Sequence, residues 1–198
     1  GFIMLRCFDY SFDGYIFDCD GTLAESMGMH YRAWKHALKK FGAKFDFTWE
    51  LFRSMAGMGL HHTVDLVNER FGENLIAEPL LEEQEAFCEE HIHEMKANPE
   101  VFAFAEWITE QGLARSIASG GHRHIVHRTL KIIGADHLFP IVVTQNDVTH
   151  SKPHPEMFLL AAEKMGVKPE RCLVLEDSLL GIEAAKAAGM GSVLVRLD

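Results

Sequence analysis

The sequence predicts an α/β fold, a doubly wound parallel sheet with a helical block inserted after its first strand. Three observations carry this. From about residue 101 onward, short apolar runs alternate with amphipathic helical stretches. Residues 26–97 read as helix after helix, with no convincing strand between them. One apolar run, Tyr15-Ile16-Phe17, lies ahead of that block, and its partners lie behind it. A single α/β unit formed by 1–25 and 98–198, interrupted by a helical unit at 26–97, accounts for all three.

The elements follow in order. Tyr15-Ile16-Phe17 breaks into Asp18-Cys19-Asp20-Gly21-Thr22-Leu23, as a buried parallel strand does at its carboxyl end. From His30, Tyr31, Trp34, Leu38 and Phe41 share a helical face, and Gly42 stops it. Further helices are expected near 48–56, 61–71 and 79–96. A helix at 101–111 precedes the strand Ser116-Ile117-Ala118, then Ser119-Gly120-Gly121. Ile125, Val126, Leu130 and Ile133 mark the next helix, ended by Gly134. Pro140–Thr144 reads as a strand. Pro155 is expected as the first residue of a helix running to Met165 and stopped by Gly166. Cys172–Leu175 is a strand, Ser178–Ala188 a helix stopped by Gly189, and Ser192–Val195 the last strand.

Composition narrows the classes. In 198 residues, 47% hydrophobic and 24% charged content is near the globular average, so disorder is not expected. A net charge of −10 leaves no basic surplus for a nucleic-acid backbone. The four cysteines (Cys7, Cys19, Cys88, Cys172) lie far apart and read as reduced thiols. Phe2–Phe8 is too short and interrupted for a signal peptide, and no apolar run approaches a membrane span. A soluble, cytoplasmic, monomeric protein is expected. The twelve histidines show no zinc-ligand spacing and read as solvated or core residues.

In a parallel sheet the strand ends converge on one edge, where ligands bind. Four polar elements fall there: Asp18 with Asp20, Ser119-Gly120-Gly121, Ser151-Lys152-Pro153-His154-Pro155, and Glu176-Asp177-Ser178. Taken singly, each is ordinary: a turn, a loop, a solvated lysine, an acidic helix start. Together they describe phosphoryl transfer. An ionised carboxylate needs no base to attack phosphorus, and the acyl phosphate formed is open to water. Mg²⁺ suits a site of few carboxylates plus substrate phosphate, and it offsets their repulsion. Asp18 and Asp177 side chains and the Asp20 carbonyl can hold it. Lys152 can add a point charge to the phosphate, and Ser119 and the Gly120 N–H can donate to its oxygens. Asp20 is left as acid and base.

Asp-x-Asp-Gly-Thr-Leu at 18–23, Ser119, Lys-Pro-x-Pro-x-x-Phe at 152–158 and Glu-Asp-Ser-x-x-Gly-Ile-x-Ala-Ala at 176–185 resemble the four motifs of the haloacid dehalogenase-like hydrolases. Met29-His30-Tyr31-Arg32-Ala33-Trp34-Lys35 resembles the first cap helix of the β-phosphoglucomutase-like branch, which includes sugar-phosphate phosphatases. The resemblance implies a Rossmann-like core under a helical cap, with Mg²⁺ as cofactor. It implies Asp18 as nucleophile, Asp20 as acid/base, and Ser119 and Lys152 as phosphate binders. Asp18, Asp177 and the Asp20 carbonyl would be metal ligands, and Glu176 a ligand or a group just behind them.

Three readings follow. The leading one is a phosphatase acting on a small phosphorylated metabolite such as a sugar phosphate. A phosphomutase is second, and a non-catalytic binding module on the same fold is third. Mutases of this branch anchor a second phosphate with a cap arginine and lysine, where this chain has Leu60 and Gln84. The chain's end, soon after its last strand, is also similar to the short phosphatases. Arg53, His61, His62 and Gln84 are candidates for reading the substrate.

Overall fold

The computed structural model describes residues 12–196, so Cys7 and the Phe2–Phe8 segment lie outside the described residues. Five strands form one parallel sheet: β1 (Gly14–Phe17), β4 (Ala114–Ala118), β5 (Val142–Val143), β6 (Cys172–Glu176) and β7 (Gly191–Leu194). Their order is β5-β4-β1-β6-β7, which puts β1 at the centre. The chain adds β4 and β5 on one side, then crosses to add β6 and β7 on the other. The reversal of strand order beside β1 opens the crevice in which such sheets bind ligands.

Alternating side chains of β1 face two layers. Tyr15 and Phe17 point to one core with Phe104 and Ile108 of α5 (Pro99–Glu110) and Leu130 of α6 (Arg123–Ile132). Ile16 points to the other, with Phe158 and Ala161 of α7 (Glu156–Met165) and Ala184 and Ala185 of α8 (Leu179–Ala187). Ser116 shares register with Ile16 and is fully buried, and its hydroxyl is without a hydrogen-bond partner.

Between β1 and α5 lie α1 (Met27–Lys40), α2 (Trp49–Ser54), α3 (Leu60–Phe71) and α4 (Ala77–His91). These helices carry a core of their own, including Trp34, Phe52, Val67 and Leu80. The block is entered through β2 (Ala24–Glu25) and left through β3 (Lys96–Ala97), which pair antiparallel as Ala24↔Ala97 and Glu25↔Lys96. This ribbon was not expected from sequence, since two residues show no alternation. Other boundaries also shift. The first inserted helix begins three residues before His30, and the expected strand 140–144 is regular only at 142–143. Pro155 caps α7 instead of opening it. Gly42, Gly134, Gly166 and Gly189 all take positive φ, which lets them stop helices as expected.

Candidate active site

Asp18 leaves β1 at the carboxyl end of the central strand, and its N–H still reaches the Leu175 carbonyl at 3.0 Å. Its buried carboxylate accepts a hydrogen bond from Lys152 Nζ at 3.0 Å. The same ammonium, wholly buried, donates to Glu176 Oε2 at 2.7 Å and to the Ala118 carbonyl at 3.0 Å. All three donors are used, and the Phe158 ring lies 5.1 Å from Nζ. Burial lowers the ammonium's pKa, but the charges of Asp18 and Glu176 outweigh it, and the net shift is upward. Lys152 is therefore a fixed cation.

Glu176 is saturated. Its other oxygen accepts from the N–H groups of Asp177 (3.1 Å) and Ser178 (3.3 Å) and from the Ser178 hydroxyl (3.2 Å). A side chain at Gly181 would lie 2.0 Å from the Glu176 carboxyl carbon, so α8 needs glycine there. Asp177 accepts from the Thr22 hydroxyl at 3.0 Å on Oδ1 and from Arg53 Nη1 at 3.0 Å on Oδ2. Carboxylate oxygens of Asp18, Glu176 and Asp177 lie within 4.8 Å of one another. Burial, and next the Glu176 charge, push the Asp18 carboxyl well above the usual range, against the pull of Lys152. A divalent cation on this hard-oxygen set relieves that repulsion, so the residues fit Mg²⁺.

Asp20 sits in different surroundings. Its Oδ1 accepts from the Ser26 hydroxyl at 2.6 Å and pairs with His30 Nε2 at 2.9 Å. Its Oδ2 faces the glycine loop, since a β-carbon at Gly121 would lie 3.7 Å from it. Burial raises the Asp20 pKa, but His30 and Ser26 outweigh it and the net shift is downward. For His30 burial lowers the pKa, while the Asp20 charge lifts it well above the ordinary value. Behind His30, Cys88 Sγ lies 3.7 Å from Nδ1 and accepts from Gln84 Nε2 at 3.5 Å.

Ser119, buried at the end of β4, accepts the Gly121 N–H on its hydroxyl oxygen at 3.0 Å. This leaves the hydroxyl proton free to donate. A side chain at Gly120 would lie 2.6 Å from the Gly57 carbonyl, so here the inserted block closes directly onto the loop after β4. Two more bonds join the parts: Gly59 N–H to Ser151 Oγ at 2.9 Å and Leu60 N–H to Gln145 Oε1 at 3.1 Å. Asp18, Asp20, Ser119, Gly120 and Gly121 thus form the floor of a cavity. Trp34, Phe47, Phe52, Met55, Met58, Leu60 and Gln84 form its roof.

The structure brings Asp18, Asp20, Ser119, Gly120, Lys152, Glu176 and Asp177 to one edge of the sheet. The four residues named as substrate readers are dispersed. Gln84 is buried in the roof, His61 lines a separate surface pocket with Glu82 and Glu85, and His62 is exposed on α3 away from the cavity. Arg53 points at Asp177. Ser26 and His30 were not singled out from sequence. A signal was present: they lie four apart on a helical stripe that continues through Ala33, Trp34 and Ala37, polar positions in an otherwise apolar face.

A parallel α/β sheet with an acid-rich edge and a helical insert after its first strand defines the class. The chain belongs to the haloacid dehalogenase-like hydrolase family, whose model matches residues 15–195. Within it the protein is a phosphatase. It is 33% identical over 185 residues to the fructose-1-phosphate phosphatase YqaB of Escherichia coli, covering 93% of this chain and 96% of that one. Its fold matches a hydrolase from Pseudomonas syringae with a TM-score of 0.85 at 29% identity, covering 92% and 84% of the two chains. A β-phosphoglucomutase from Clostridium difficile matches with a TM-score of 0.83 at 25% identity, covering 94% and 85%.

Proposed function

We propose that the protein hydrolyses a small phosphorylated metabolite, with a sugar monophosphate as the leading case, through an aspartyl-phosphate formed on Asp18 with Mg²⁺ as cofactor. The observation that carries this is the buried Lys152 ammonium held between Asp18 and Glu176, beside a second aspartate whose Oδ2 faces the cavity. A fixed cation touching a carboxylate at the floor of a roofed cavity is what an attack on a phosphate dianion requires.

An Asp18 oxygen attacks phosphorus as the bond to the leaving oxygen breaks. Asp20, held at Oδ1 by Ser26 and His30 and ionised in the substrate-free site, takes up a proton as the substrate binds and gives it from Oδ2 to that oxygen. Water then attacks the aspartyl phosphorus. Asp20 takes its proton, and free Asp18 and inorganic phosphate result. In this reading the Ser119 hydroxyl and the Gly120 N–H donate to the phosphate oxygens, and Lys152 joins them by exchanging one of its three present acceptors for the phosphate. Mg²⁺, held by Asp18, Asp177 and the Asp20 carbonyl, would offset the repulsion between Asp18 and the phosphate. Glu176 stands beside that set, with its oxygens occupied by Lys152 and the 177–178 turn.

In this reading, residues 1–25 and 98–198 are the catalytic core, 26–97 is a cap, and a monomer in the cytoplasm does the work. Among the described residues, no helix is long and apolar enough to cross a membrane. A mutase is disfavoured because the roof offers Leu60 and Gln84 where a second phosphate needs cations, and Gly121 offers no side chain. The name of the E. coli relative, a fructose-1-phosphate phosphatase, supports a sugar monophosphate. A panel of phosphorylated metabolites assayed for phosphate release with Mg²⁺ tests the reading. Release from one or more sugar monophosphates is expected, and none from any member would refute it.

A further inference from the structure

Arg53 is carried by α2 of the inserted block, yet its guanidinium leaves that block and lies on the core. Nη1 donates to Asp177 Oδ2 at 3.0 Å and Nη2 to the Asp177 carbonyl at 3.4 Å. The Asp177 side chain is 5% exposed and that of Arg53 is 31% exposed. Asp177 Oδ1 already accepts from Thr22, and Oδ2 presses on Gly21, where a β-carbon would lie 2.2 Å away. Both carboxylate oxygens are therefore engaged, one of them by a permanent cation from the other half of the molecule. Phe52, next to Arg53 in sequence, is buried in the insert's own core and fixes α2. Arg53 therefore travels with the block.

We propose that Arg53 sets the metal affinity of the site and makes closure of the helical block antagonistic to Mg²⁺ binding, with Asp177 as the group both compete for. This rests on the reading of Asp177 as a metal ligand. When the block is closed, a guanidinium at hydrogen-bond distance from Asp177 supplies positive charge where the dication would. A dication on Asp177 in turn weakens the attraction that draws Arg53 in. The two effects are one coupling free energy seen from two sides, so their magnitudes match. Lysine at this position keeps the charge, whereas methionine keeps most of the length and loses it.

The test is calorimetric titration of MgCl₂ into the substrate-free protein, with Mg²⁺-dependent Tm as a second reading. Arg53→Met is expected to bind Mg²⁺ about fivefold or more tightly than the wild type, in the usual range of site-to-site coupling. Arg53→Lys is expected to stay near the wild type, and Asp177→Asn to lose binding. Equal or weaker binding by a folded Arg53→Met variant overturns the proposal while leaving the metal reading intact. Absence of Mg²⁺ binding by the wild type overturns both.

Discussion

Asp18 and Asp20 are two residues apart and chemically identical, and their neighbours give them different work. Asp18 is bonded to the buried cation Lys152 and has Glu176 and Asp177 beside it. Asp20 is anchored at one oxygen by Ser26 and His30, and its other oxygen faces the cavity. In the proposed mechanism His30 is thus a positioning residue. Substituting it with alanine is expected to lower kcat on the order of tenfold or more with little change in KM, because it misaims a proton donor without touching the phosphate. Glutamine, which keeps an N–H donor, should recover part of the loss in steady-state assays. A KM effect alone would argue for a different role. The buried thiols are expected to be inert. Burial raises the Cys172 pKa to about 11 and, with the nearby Asp20 charge, lifts that of Cys19 well above its ordinary value. Near pH 8 both are protonated, and iodoacetamide mapping of the native protein should find them unlabelled until it is unfolded.

Individual residues also show what the sequence could and could not tell. The meeting of Asp18, Ser119 and Asp177 at one sheet edge was legible because each lies at the end of an apolar run with a definite direction, and that of Lys152 because Lys-Pro-x-Pro aims it from the loop before a helix. Arg53 was not. Its direction depends on how α2 sits against the core, a packing fact with no local pattern. His30 lay between these cases: its position on an apolar stripe was visible, but its partner was ten residues away across a turn.

At the scale of elements, packing rules fix where glycine and serine are tolerated. Gly120 is needed because the loop after β4 and the loop at Gly57 approach backbone to backbone. Gly120→Ala is expected to push the inserted block off the floor. The global stability should stay within about 1 kcal/mol while kcat/KM falls at least tenfold. Unfolding curves and steady-state kinetics on the same samples would separate the two. Ser116 makes the opposite case. Its buried hydroxyl lacks a partner, which costs on the order of 1–3 kcal/mol relative to a satisfied group. Ser116→Ala is expected to raise the urea midpoint with an unchanged m-value, and a lowered midpoint would mean that the hydroxyl has a partner. The strands β1, β4 and β6 were legible as apolar runs. The β2–β3 ribbon was not, because its pairing is tertiary. The strand at 142–143 came out shorter than its apolar run, since that run extends beyond the residues the edge position pairs.

At the scale of the whole molecule, the insert turns an open sheet edge into a roofed cavity. The block joins the core through the two-residue ribbon of β2 and β3. It meets the core again at Ser26, His30, Gly59, Leu60 and Arg53, in the pairing of Glu85 and Glu89 with His122, His124 and Arg128, and where Ile125 packs on Met29, Ala33 and Ile92. Opening the cavity by turning the block about the ribbon would part these contacts. A roofed cavity admits small esters and excludes folded phosphoproteins, so the protein is expected to release no phosphate from a phosphorylated protein at rates near those for a sugar monophosphate. A phosphate-release assay on both substrates checks this. With glucose 1-phosphate no glucose 6-phosphate should accumulate, with or without a bisphosphate primer, because the roof carries the neutral Leu60 and Gln84 and its histidine of raised pKa, His30, is taken by Asp20. Primer-dependent isomer formation faster than phosphate release would restore the mutase reading.

The central claim is that phosphate passes through Asp18. The most direct measurement uses Asp20→Asn with Mg²⁺ and p-nitrophenyl phosphate, whose leaving group needs no proton, followed by acid quench and mass spectrometry. The first step should still proceed while the second, deprived of its base, stalls. The expected result is a burst of p-nitrophenol, a protein heavier by one phosphoryl group, and a peptide map placing that group on Asp18, all of it absent when Asp18 is also changed to Asn. Turnover without any phosphorylated protein, together with phosphate release by Asp18→Asn above background, would contradict the account.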